Sequence, residues 1–431
     1  MCRTGAIPGK DLADLKAHSS SIVTALQLVI GTFVLAIVLR TWLVMGLIEP
    51  VTVAGSSMAP TMLGPHLSLK CERCRHMFDV GAEFAVETEH AECPQCGFKA
   101  NPFAELPVRR GDRLVIDRMT LLFRLPRRWE PVVFVSPADE GGLVVKRVVG
   151  LPGEKIQLRD GEVWIDGHLA KKTFEEQLSL RHLIHREATS AQRWQGDGWT
   201  WRNGIWNCAS HEDWNLLSYV HPQEQLITDD SSYNAGLTRR LFAVYDLSLS
   251  IKLQVTGTGE LAICHYDGEQ EREIRLNPAE GRFELRSGGI LLSIVELSPA
   301  SSKALQVGEV QIEIGVIDQR LLFAIEGNVE WARDIEDSEQ KGSGVNRKDS
   351  CPVFKIGARG LTTRLRDLRL FRDAFYASRE EAASLDEPMI PILLGENEIF
   401  VLGDNVPVSI DSRHWGPLPL RFLVGRPLNV R

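Results

Sequence analysis

The chain has 431 residues, enough for two or three domains of roughly 100–200 residues each. Hydrophobic residues make up 44% and charged residues 25%, an ordinary globular composition. A net charge of −8 argues against a general nucleic-acid binder, and eight cysteines are too few for a disulfide scaffold.

Near the N-terminus, Ile22 to Leu39 is an uncharged stretch interrupted by Thr24, Gln27 and Thr32. Arg40 follows, then a second apolar run, Thr41 to Ile48. Some 20 apolar residues at about 1.5 Å each cross a bilayer, so residues 22–48 are predicted as a transmembrane anchor. The alternatives are a buried helix of a soluble domain and a cleavable signal peptide. The absence of a polar face opposes the first, and the absence of a nearby small-residue cleavage site opposes the second. Residues 1–21 carry Arg3, Lys10 and Lys16. The positive-inside rule therefore puts them in the cytoplasm and residues after about 50 outside. The expectation is a single-pass protein of a bacterial-type cytoplasmic membrane, with the lipid bilayer as a partner.

Residues 50–64 are dense in small side chains, and residues 66–100 hold four cysteines. Arg113–Asp117, Val132–Val135, Leu143–Val149 and Glu162–Ile165 are β-branched runs punctuated by Gly and Pro, which predicts strands. Asp160-Gly161 is a hairpin signal. After Lys172 the composition shifts, and five tryptophans fall between Trp194 and Trp214. Leu247–Val255, Leu261–His265, Gly289–Leu297, Gln311–Ile317, Leu321–Glu326 and Leu365–Phe371 alternate without helical periodicity, which predicts a β-sandwich or jelly roll. A charged loop is expected over Asp334–Asp349, a helix over Ser378–Leu385, and a strand at Glu398–Leu402.

Three separated segments carry chemistry. They are Gly55-Ser56-Ser57-Met58-Ala59-Pro60-Thr61, then Lys146-Arg147-Val148-Val149-Gly150-Leu151-Pro152-Gly153-Glu154, then Gly403-Asp404-Asn405 with Ser409-Ile410-Asp411-Ser412-Arg413-His414-Trp415-Gly416. In this order they resemble the type I signal peptidase (leader peptidase) family. The resemblance covers residues 20–64, 111–170 and 395–431. It implies a serine/lysine dyad, with Ser57 as nucleophile because it directly precedes Met58, and Lys146 as general base. By the same resemblance, Ser409 orients Lys146, Asp411 pairs with Arg413, Asp404 pairs with Arg147, and the Ser57 N–H helps form the oxyanion hole. Gly55 stands where some members carry a serine that donates a second hydrogen bond, so that donor is absent or replaced. The implied reaction removes signal peptides from exported preproteins with small residues before the cut, through an acyl-enzyme and without a catalytic cofactor.

The chemistry agrees with elementary constraints. A hydroxyl needs a base to become a nucleophile, and a lysine of ordinary pKa near 10.4 cannot serve at neutral pH. Desolvation can lower that value by several units. Leu143-Val144-Val145 and Val148-Val149 flank Lys146 as a buried strand would.

Two insertions divide this core. Cys71-Glu72-Arg73-Cys74 and Cys93-Pro94-Gln95-Cys96 have zinc-ribbon spacing, and four thiolates on one ion leave no open position, so structural zinc is expected. Two disulfides are the alternative. His76 and His90 read as surface residues. The second insertion, about 173–390, is similar to laminin-G or concanavalin-like sandwiches around Gln311–Asp318 and Phe354–Gly360. Its tryptophans read as packing residues ahead of a ligand-stacking platform, and Cys208, Cys264 and Cys351 receive no role.

The predicted fold is mainly β. A signal-peptidase/repressor-type β core (50–64, 111–170 and 395–431) stands behind one transmembrane helix, with an inserted zinc ribbon (66–100) and an inserted β-sandwich (173–390). The competing readings are a self-cleaving repressor-like protease and an inactive anchored binding protein.

Overall fold

The computed structural model describes residues 10–41, 48–86, 88–137, 141–187, 193–222, 226–267, 270–335, 352–377 and 389–428. The architecture is mainly β. The helix predicted over Ser378–Leu385 and nearly all of the 334–349 loop fall outside the described residues.

A long helix, Lys10–Leu39, opens the chain, and its described apolar side chains, including Leu26, Val29 and Phe33, are exposed. The anchor predicted over residues 22–48 is corrected: among the described residues, no helix is long and apolar enough to cross a membrane. Residues 42–47 of the second apolar run lie outside the described residues. The single-pass topology with its cytoplasmic N-terminus and the membrane-bound form of the function rested on that helix and are corrected with it, and no described helix supports the bilayer as a partner.

Seven strands form the sheet that carries the three motif segments. Their order is Ile48–Thr52, Arg113–Asp117, Leu423–Pro427, Pro131–Val135, Leu143–Gly150, Glu398–Leu402 and Leu418–Pro419. Alternation drives the outer pairs: in Arg113–Asp117, Leu114 and Ile116 are buried while Arg113 is exposed. The central strand Leu143–Gly150 is different, because every residue from Lys146 to Gly150 is buried. Register then brings distant segments together. Lys146 lies opposite Val132, while Arg147 lies opposite Pro131 on one side and Leu402 on the other. Gly403-Asp404-Asn405 therefore begins where the Lys146-Arg147 pair sits. A small sheet, ordered His168–Leu169, Glu162–Ile165, Lys155–Arg159 and Ile392–Leu393, extends the core through the Asp160-Gly161 turn.

The first insertion consists of two short hairpins, His66–Lys70 with Met77–Gly81 and His90–Ala91 with Asn101–Pro102. The second contains a thirteen-stranded sheet organised on two long antiparallel strands, Leu247–Tyr266 and Phe354–Arg372. Leu247–Tyr266 changes partner along its length. Leu247–Leu253 pairs with Val310–Ile317, and Leu261–Tyr266 pairs with Glu271–Asn277. Register shifts at Gly257/Glu260 mark the change, and there Gly257 has φ +108°, a conformation that favours glycine. Side chains from both halves meet in one core that includes Leu249, Leu253, Ile263, Phe283, Phe323 and Leu365. Trp194, Trp199 and Trp206 are buried in the same core.

The thirteen-stranded sheet meets the core around Trp129 in a buried charge cluster. Lys172 Nζ donates to Asp318 Oδ1 at 2.6 Å and to Asp373 Oδ2 at 2.7 Å, and it lies 4.7 Å from the Trp129 ring centroid. Lys172 and Asp318 are each 1% exposed. Trp129 stacks on Tyr376, and its carbonyl accepts from Arg147.

Candidate active site and cysteine cluster

Ser57 sits on the loop that follows the edge strand Ile48–Thr52. Asp112 closes the base of this loop: its N–H donates to Leu63 O at 2.8 Å, its carboxylate accepts from Leu63 N at 2.9 Å, and its carbonyl accepts from Val53 N. Met58 and Met62 pack below with Leu114. Ser56 is buried and Ser57 is half-buried, so the two adjacent hydroxyls differ in access. The Ser56 hydroxyl is taken by Glu83 of the first insertion.

Lys146 is 2% exposed, and its Nζ donates to Ser409 Oγ at 2.9 Å. Burial pulls its pKa down to about 8, with the Arg413 charge adding to the effect and the Asp411 and Asp404 carboxylates opposing it. Gly403 brings the segments into close approach. A Cβ there would stand 2.2 Å from Ser409 Oγ and 2.4 Å from Ser57 O, so only glycine lets the Ser57 and Ser409 segments converge.

Two ion pairs brace the site. Arg147 donates twice to Asp404, at 2.8 and 2.6 Å, and both are almost fully buried. The pairing with Arg147 holds the Asp404 carboxyl below its ordinary value against the effect of burial. Arg413 donates twice to Asp411, each at 2.9 Å. Arg413 also donates to the carbonyls of Val406 and Ser409, while Asp411 accepts from Gly403 N at 3.0 Å. The Asp411–Arg413 pair thus fastens the loop between Gly403 and Ser409. The site also contains residues to which no role was assigned from sequence, Asn405, Asn234 and Glu83. Asn405 was visible in the Gly-Asp-Asn motif, whereas nothing in the local sequence around Asn234 or Glu83 signals a partner so far along the chain.

In the first insertion, Cys71, Cys74, Cys93 and Cys96 are all buried, and their Sγ atoms lie within 4.8 Å of one another. The Cys71–Cys96 and Cys74–Cys93 sulfurs are each 3.6 Å apart, too far for a disulfide. A tetrahedral ion with Zn–S bonds of about 2.3 Å needs sulfurs about 3.8 Å apart, so the set fits a metal ion. The two halves repeat one turn. Cys71 N donates to His76 O and Arg75 N to Cys71 O, just as Cys93 N donates to Phe98 O and Gly97 N to Cys93 O. Arg75 and Gly97 both have positive φ, 63° and 68°. Asn101 joins the halves through Glu72 N, Ala91 O and Phe98 O. His90 is exposed and His76 half-buried, and neither belongs to the cluster. A second group, Glu162, Asp246, Asp318 and Asp373, also brings carboxylate oxygens within 4.8 Å and could hold a cation, but here the Lys172 ammonium already supplies positive charge.

The family model for signal peptidase, peptidase S26, matches residues 104–231 and 362–429, under half of the chain. The matched segments include Lys146, Arg147, Asp404, Ser409, Asp411 and Arg413, and leave Ser57 and the four clustered cysteines outside. The chain is 40% identical over 57 residues to probable thylakoidal processing peptidase 2 of Arabidopsis thaliana, covering 13% of this chain and 16% of that one. It is 29% identical over 75 residues to signal peptidase I V of Bacillus subtilis, covering 17% and 40% respectively. The chain thus spans less than half the length of these curated relatives. Among solved structures it is similar to the carbohydrate-binding module CBM66 from Bacillus subtilis, at 9% identity and a TM-score of 0.26, covering 41% of this chain and 94% of that one. The family match is thus confined to the segments that carry the Lys146–Ser409, Arg147–Asp404 and Asp411–Arg413 contacts.

Proposed function

We propose that this chain hydrolyses preproteins at the end of their signal peptides, using Ser57 as nucleophile and neutral Lys146 as general base. The observation that carries the reading is the buried Lys146, with a pKa near 8 and its amine held by Ser409, whose Oγ borders Gly403 together with Ser57 O. In the first half-reaction Ser57 Oγ attacks the scissile carbonyl and Lys146 Nζ takes its proton. The Ser57 N–H donates to the oxyanion, and the new ammonium returns the proton to the departing amine. Water then loses a proton to Lys146 and attacks the ester; collapse of the intermediate releases the signal peptide as an acid while Lys146 returns that proton to the Ser57 oxygen. Asp404–Arg147 and Asp411–Arg413 hold the groups in place and do not exchange protons. The four-cysteine cluster holds a structural zinc, which organises the two hairpins and takes no part in hydrolysis.

Cleavage of a purified preprotein bearing an Ala-x-Ala site is the direct test. Ser57→Ala and Lys146→Ala are each expected to abolish it while Ser56→Ala retains it. Cleavage at the wild-type rate by either of the first two variants would sink the dyad.

A further inference from the structure

Beyond the paired motifs, the second insertion reaches the nucleophile loop itself. Asn234 lies in the short turn Ser232–Asn234, outside the segments that match the peptidase family. Asn234 Nδ2 donates to Asn405 Oδ1 at 2.7 Å, and Asn405 Nδ2 donates to Asn234 Oδ1 at 2.8 Å. Both residues are 4% exposed. Asn405 in turn grips the serine loop: its Nδ2 also donates to Ser56 O at 3.1 Å, and its backbone N–H donates to Ser57 O at 3.0 Å.

The chemistry of this chain is directional. A carbonyl only accepts, so the Asn405 side chain must present its NH2 to Ser56 O. An isolated amide could rotate by half a turn and present its oxygen instead. Asn234 opposes that rotation because it meets the amide with both a donor and an acceptor. Two further contacts fix Asn234. Its N–H donates to Ser231 O and its carbonyl accepts from Leu237 N, both at 3.0 Å, and its neighbour Tyr233 is buried against Phe84 of the first insertion. Glu83, one residue before Phe84, accepts from the Ser56 hydroxyl.

We propose that Asn234 is a positioning residue for catalysis, which locks the Asn405 amide and so the backbone of Ser56 and Ser57. The inference rests on Ser57 being the nucleophile. The second insertion is then part of the catalytic apparatus through one side chain. An error of about 1 Å in the placement of a reacting group costs on the order of a hundredfold in rate.

The test uses the full chain, a preprotein substrate, and separate kcat and KM values over a range of pH. Asn234→Ala should lower kcat by roughly ten- to a hundredfold with KM within about twofold, and should leave the acid limb set by Lys146 in place, because the Lys146–Ser409 contact is untouched. Asn234→Asp preserves size and accepts from Asn405 Nδ2, but its carboxylate cannot donate to Asn405 Oδ1. Its kcat should be reduced, and the ratio to wild type at the same pH should recover as pH falls and the carboxyl regains a proton. A folding defect would recover with the same sign, so kcat is referred to the folded fraction measured by circular dichroism at each pH. If Asn234→Ala fails to fold, Asn234→Asp decides alone. Folded Asn234→Asp with wild-type kcat at every pH overturns the proposal, as does a defect confined to KM. Ser57→Ala separates the two readings: a cleaving Ser57→Ala refutes the nucleophile, whereas an inactive Ser57→Ala beside a fully active Asn234→Asp refutes only the positioning role.

Discussion

Lys146 donates to Ser409 Oγ across 2.9 Å although the two lie 263 positions apart in sequence. The bond holds the amine in a site that burial has made poor for an ammonium ion, and Asp411 partly offsets that burial. The acid limb of kcat/KM should therefore fall near pH 8, with activity rising as Lys146 loses its proton. Removing the opposing carboxylate has a definite sign. In Asp411→Asn the charge that raises the Lys146 pKa is gone while Arg413, which lowers it, remains. The limb should move below pH 8 even as the maximal rate falls through loss of the Gly403 and Arg413 contacts. A pH–rate profile of the variant checks this, and a limb displaced upward contradicts it.

Gly403 permits the contact of two chain segments that supply the site. In Gly403→Ala the added methyl must displace Ser409 Oγ, Ser57 O, or both, from within 2.4 Å. The expected loss in kcat is about a hundredfold or more, with the Lys146 limb broadened or shifted because its Ser409 partner has moved. Single-turnover cleavage assays read this directly, and a variant within threefold of wild type would show that the loop tolerates separation.

Gly55 offers the opposite experiment. No heavy atom stands within 4 Å of where its Cβ would be, and its φ is not in the left-handed region. Gly55→Ser should fold normally and place a hydroxyl beside the oxyanion position. A rise in kcat of up to about tenfold is expected, with KM nearly unchanged. An unchanged or reduced kcat would mean that the hydroxyl does not reach the developing charge.

The cysteine cluster makes a stoichiometric prediction. The protein should bind one zinc ion per chain, and a chelator should release it and expose four reactive thiols. Cys93→Ser should lose the metal. Because Arg193 of the second insertion donates to the carbonyls of Gln95 and Cys96, the loss should also loosen the ribbon against the insertion and lower Tm. Metal analysis, thiol titration and a thermal melt decide it, and two stoichiometric disulfides without metal would refute it.

The three motif segments stand out in the sequence because each is a short run whose residue types mean something locally. Ser57-Met58 with Pro60, Lys146-Arg147 inside a valine-rich strand, and Asp411 with Arg413 can be read without a structure. The alternating runs likewise announced a β architecture. Their meeting could not be read: Lys146 reaches Ser409 only because Leu143–Gly150 and Glu398–Leu402 are neighbours in the sheet. Asn234 was hidden for the same reason, since an asparagine in a polar turn looks like a turn residue until its partner is known. The N-terminal prediction failed on length and hydropathy, for the described apolar run does not make a membrane-crossing helix. Lys172 marked only a shift in composition, since one of two adjacent lysines before a capped helix gives no sign of a buried partner.

Lys172 carries the final prediction. Its ammonium pairs with both Asp318 and Asp373 in a site where all three side chains are nearly sealed from water, and it also lies over Trp129. Trp129 O accepts from Arg147, so the cluster connects the Asp404 brace to the insertion. Lys172→Met preserves most of the volume and removes the charge, leaving two buried carboxylates facing Glu162 and Asp246. Breaking a buried pair by deleting one partner costs about 3–5 kcal/mol, and urea unfolding should show a loss of that size. The same variant should unfold less readily when Asp318→Asn and Asp373→Asn are added, because the excess negative charge is then relieved. Full additivity of the three changes would contradict a shared electrostatic cluster. The linkage to catalysis has its own readout: residual folded Lys172→Met should show a reduced kcat through movement of Trp129 and Arg147, and the triple variant should recover part of it.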